Sequence, residues 1–69
     1  MTRLRDAVSD EGIAELRLLE AAGEFPGVSL KTMLEFLLSD GIMPESGLPL
    51  TSLLHLEDWA RARINASRP

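Results

Sequence analysis

The chain has no cysteine and no tyrosine, one histidine and one tryptophan, and only 4 % aromatic residues. Each shortage closes a class of function. Without thiols there is no thiol nucleophile, no disulfide scaffold and no thiolate zinc site, and nothing points to an oxidising compartment. So few rings argue against a stacking platform for single-stranded nucleic acid. Long apolar runs are missing too. The longest is Phe36-Leu37-Leu38, far short of the roughly 20 residues a membrane span needs. Met1-Thr2-Arg3-Leu4-Arg5-Asp6 leads into acidic residues rather than into the apolar stretch of a signal peptide. A cytoplasmic protein with no membrane partner is the expectation. Positive charge is scarce as well, with seven Lys+Arg against eleven Asp+Glu and a net charge of −4.

The 69 residues are 45 % hydrophobic, which argues against disorder, and thirteen are leucine. One small domain spanning 1–69 is expected, with 1–8 and 66–69 as frayed termini. A chain of 7.6 kDa buries about 60 % of its unfolded surface. Burial then contributes on the order of 100 kcal/mol, and ordering the chain costs about as much. A balance this close favours association with a second copy or a partner.

Glycine and proline divide the chain at Gly23-Glu24-Phe25-Pro26-Gly27 and between Gly41 and Pro49. Ser9, followed by Asp10 and Glu11, marks a helix start, and Gly23 a stop, giving a first helix over about 10–22. Residues 3–8 either extend it backward or form a separate turn. A continuous helix would put Glu11 and Glu15 on the stripe of Leu4, Val8 and Leu19, so a break near Ser9 is favoured. Ser29 opens a second helix, 30–40, whose apolar residues span an arc of roughly 200°. A third runs over 51–65, with Leu53, Leu56, Trp59, Ala60 and Ile64 on one stripe. No window shows the alternation of a strand. The fold class is therefore all-α: a small three-helix bundle, with an extra short N-terminal helix as the variant, associating through apolar helix faces. Its expected core is Ile13, Leu16, Leu19, Met33, Leu34, Leu37, Leu53, Leu56, Trp59 and Ile64.

Chemistry-bearing patterns are thin. Ser52, His55 and Asp58 have a superficial nucleophile–base–orienter order, but all three lie on consecutive turns of one helix, where an imidazole cannot bridge groups arriving from different elements. A solvated His55, edging Trp59 or pairing with Asp58, is the better reading. The neighbouring acids Asp10-Glu11 and Glu57-Asp58 diverge by about 100° and share no target atom. The glycines form no phosphate-cradling loop. Asn65-Ala66-Ser67 matches a glycosylation acceptor by chance length alone. No catalytic, cofactor-binding or metal-ligating residue is assigned, and no enzyme is expected.

Residues 16–34 have helix–turn–helix texture, yet residues 13–41 set only Arg17 and Lys31 against five carboxylates. A helix that reads DNA needs several cations toward phosphate, so nucleic acid is disfavoured. The alternative kept open is a small helical DNA-binding transcriptional regulator using the terminal arginines Arg3, Arg5, Arg61, Arg63 and Arg68. The favoured expectation is a non-enzymatic regulatory or adaptor protein, homodimeric, that binds another protein through an apolar helical surface with an acidic rim. A basic transcription factor or nucleic-acid enzyme would suit its charge. Leu18 and Leu54 lie off the apolar stripes of their helices, and with Phe36 and Met43 they are the expected anchors; Glu20, Glu24 and Glu35 would steer. The apolar loop 42–50 either caps the core or docks another chain.

Overall fold

The first two helices begin and end where local chemistry can satisfy their loose backbone groups. In the computed structural model, which describes residues 3–42 and 47–66, α1 covers Asp10–Ala21, and the Ser9 hydroxyl accepts the Gly12 N–H at 3.1 Å. With Asp10 and Glu11 in the first turn, both the orphan donors and the dipole are answered. The helix closes in a Schellman turn: Glu24 N–H donates to Leu19 O and Gly23 N–H to Glu20 O, each at 3.0 Å. Gly23 supplies the required positive φ of 77°.

The second helix, α2, covers Leu30–Leu38 and is capped by Ser29, which accepts the Thr32 N–H. It stops two residues before the expected end, because Ser39, Asp40 and Gly41 form another Schellman turn, with Gly41 N–H on Phe36 O at 2.8 Å and Asp40 N–H on Leu37 O at 3.0 Å. Asp40 takes the left-handed conformation usually left to glycine, at φ 58°. That costs about 1 kcal/mol. Its carboxylate offsets the cost by accepting the Leu4 N–H at 2.7 Å, which ties the start of the chain to the end of α2. The third helix, α3, covers Leu50–Ala66. Among the described residues there are three α-helices and no strand, and 70 % of those residues are helical.

Leu4–Ala7 form a 3₁₀ turn, fixed by the Arg3 N–H on the Asp6 carboxylate at 3.0 Å, that buries Leu4 and Ala7. The turn packs against α3 and α2, and α2 packs in turn against α3 and α1. Leu16, Met33, Leu37 and Leu56 are wholly buried at the centre. Around them the structure departs from the expected core in two ways. Phe25 and Val28, on the connection between α1 and α2, are buried with Leu4, Ala7, Phe36 and Ala60. Ile13 is only half-buried and lies outside the cluster, while Leu19, Leu34, Leu53, Trp59 and Ile64 flank it, partly exposed. The wide apolar arc of α2 is largely consumed internally, leaving Leu38 exposed at its end.

Candidate functional site

The most elaborate side-chain cluster joins α1 to α3. Trp59 Nε1–H donates to Glu15 Oε1 at 2.7 Å, and the Arg63 guanidinium donates to Glu15 Oε2. Arg63 also lies 3.8 Å from Glu11 Oε2, with its Cζ 5.7 Å from the centroid of the Trp59 ring. Glu15 thus holds the indole by one oxygen and the guanidinium by the other, while the ring face supports the cation. Sequence periodicity did not reveal this cluster: it placed Glu11 and Glu15 on the stripe of Leu4 and Val8 only in a continuous helix, and the helix breaks at Ser9. Replacing Glu15 with alanine removes the acceptor of the indole N–H and one of the partners of Arg63. The partly solvated setting limits the cost to about 1–2 kcal/mol in urea unfolding. Glu15→Gln, which keeps the acceptor for Trp59, should recover part of it.

A second contact pins the start of α3. The buried Ser52 hydroxyl donates to the Pro26 carbonyl at 2.7 Å. One turn later, His55 Nε2 lies 3.7 Å from Glu24 Oε2, and its ring centroid is 5.1 Å from that of Phe25. His55 therefore faces the α1–α2 connection and not Asp58 or Trp59. Ser52, His55 and Asp58 are not brought together, because the hydroxyl and the imidazole both turn toward residues 24–26. Among the described residues no group of three His, Asp or Glu side chains is placed to hold a metal ion, and no helix is long and apolar enough to cross a membrane. Comparison with protein-family models, with curated proteins and with solved structures finds no match to this chain.

The expected anchors separate into three groups. Leu18 is 73 % and Leu54 52 % exposed, so both stand clear of the core. Phe36 is buried, its ring near the backbone at Gly41. It presents no anchor, because the arc of α2 on which it sits turns inward. Met43 lies outside the described residues. Structure adds neighbours that periodicity alone did not select: Leu50, one turn before Leu54 on α3, and Ile42 and Leu38 at the end of α2, all well exposed. Of the apolar connection 42–50, Ile42 is thus exposed and Leu48 half-buried.

The steering carboxylates have more local work than expected. Glu20 Oε2 accepts the Leu30 N–H at 2.7 Å, adding an anionic cap to the start of α2. Glu24 faces His55. Glu35 is exposed and enters none of the ion pairs among the described residues. All three remain at the surface. Among the terminal arginines, Arg61 is bound to Glu57 by Nε at 3.0 Å and Nη2 at 2.8 Å, and Arg63 to Glu15. Arg3 and Arg5 are exposed, and Arg68 lies outside the described residues.

Proposed function

We propose that this chain is a small non-enzymatic regulatory or adaptor protein of the cytoplasm that binds another protein through exposed leucines on its helices, with carboxylates around them. The observation that supports this most is the exposure of Leu18 and Leu54 in a domain that has little apolar surface to spare. Large side chains of this kind stabilise the fold little where they stand, and each becomes favourable once a partner covers it. Leu50 extends the Leu54 position along one side of α3. Exposed Glu24 and Glu35, on a chain of net charge −4, suit a basic target and speed encounter with it.

Leu18→Asp and Leu54→Asp test this reading. Each should weaken a reconstituted complex with a basic partner at least tenfold, about 1.4 kcal/mol. The helical circular dichroism and the melting temperature should stay close to wild type, because neither side chain belongs to the core. Unfolding of both variants would count against the proposal. So would tight binding of duplex DNA at physiological salt with a steep salt dependence, which would bring the terminal arginines and the regulator reading forward.

A further inference from the structure

Gly12 and Leu16 form the buried line of α1, and the opposite side carries Asp10, Ala14 and Arg17, all exposed, with half-buried Ile13 at its margin. Asp10, Ile13, Ala14 and Arg17 follow the spacing i, i+3, i+4, i+7, the four positions that bound one hole on a helix surface. They line an open hollow of about 330 Å³. Asp10 and Arg17 are absent from the ion pairs among the described residues, whereas Glu11, Glu15, Glu24 and Glu57 all have partners.

We infer that this hollow is closed by the same hollow of a second copy, with the two α1 helices antiparallel about a two-fold axis between Ile13 and Ala14. Under that symmetry Asp10 of each copy meets Arg17 of the other, so one patch supplies both halves of two ion pairs. Ile13 gains an apolar neighbour across the axis, and Ala14 is small enough to let the backbones approach. Parallel pairing would set Asp10 against Asp10 and Arg17 against Arg17, and like charges in contact oppose it. One 12-residue helix per copy gives less than the ~800 Å² per partner of a standard interface, so the dimer should be weak, forming on the order of 0.1 mM. The inference stands apart from the partner-binding reading, whose anchors Leu18 and Leu54 do not line the hollow.

Sedimentation equilibrium across concentrations from about 10 µM to 1 mM tests it. Wild type should pass reversibly from monomer to dimer. Arg17→Asp and Asp10→Arg should each weaken the dimer at least tenfold, while an equimolar mixture of the two restores it, because only the mixed pair sets opposite charges across both contacts. Ala14→Gln, which adds bulk at the axis without charge, should also give a monomer of wild-type helicity; it guards against a folding defect in Asp10→Arg. A wild type that stays at 7.6 kDa throughout, single variants that dimerise as wild type does, or a mixture that remains monomeric would each overturn the proposal. Leu54→Asp should dimerise normally, which keeps this result distinct from loss of a heterologous partner.

Discussion

Leu37→Ala should unfold a large share of the protein at room temperature. Leu37 is wholly buried at the centre of the cluster, together with Leu16, Met33 and Leu56. Removing its branched end forfeits burial and leaves a cavity that rigid neighbours cannot fully close, at about 2–5 kcal/mol. A domain of this length has roughly 3–10 kcal/mol in total. Thermal and urea unfolding monitored at 222 nm should show a large drop in the midpoint or no native baseline at all. Leu38→Ala, one residue along but more than half exposed, should stay within about 0.5 kcal/mol of wild type. Comparable losses in the two variants would mean that the face of α2 is misassigned.

Gly12→Ala should also destabilise, against the usual helical trend. At an open position the exchange favours the helix by about 1 kcal/mol. Here a Cβ would stand 2.5 Å from the Ala7 carbonyl oxygen and 3.3 Å from Arg63 Nε. The first of these atoms is backbone, so α1 and the 3₁₀ turn must move apart. Overpacking of this kind costs about 1–3 kcal/mol, and the same shift loosens Arg63 from Glu15. Urea unfolding of the single variant settles the sign: a gain in stability would show that the N-terminal turn does not sit against α1 as described. The sequence gives no hint of this constraint, since Gly12 reads there as a weak helix residue just after a cap.

Helix starts and stops were legible because they depend on residues close in sequence. Ser9 and Ser29 cap the helices they precede, and Gly23 supplies the left-handed residue of the turn after α1; after α2 that residue is Asp40 rather than Gly41, so this helix stops two residues before its expected end. The wheel of α2 placed Met33 and Leu37 inside for the same reason, and the off-stripe positions of Leu18 and Leu54 proved to be exposed. Phe36 went the other way: an arc of roughly 200° shows which residues are apolar but not which part of the arc a neighbour covers.

What only the tertiary structure decided involves groups far apart along the chain. Phe25 and Val28 fill the core from a connection whose glycines and proline read as punctuation. Leu4 is drawn in by the Asp40 carboxylate, 36 residues away, and Ser52 finds its acceptor at Pro26. Glu15 and Arg63 meet across 48 residues. Ile13 was left half-buried outside the cluster because α1 turns Gly12 and Leu16 inward. Local sequence sets backbone conformation through caps, dihedrals and periodicity, all short-range effects. Which polar groups become partners, and which apolar ones stay in water, depends on how the elements dock, and docking is decided by the sum of burial over the whole chain.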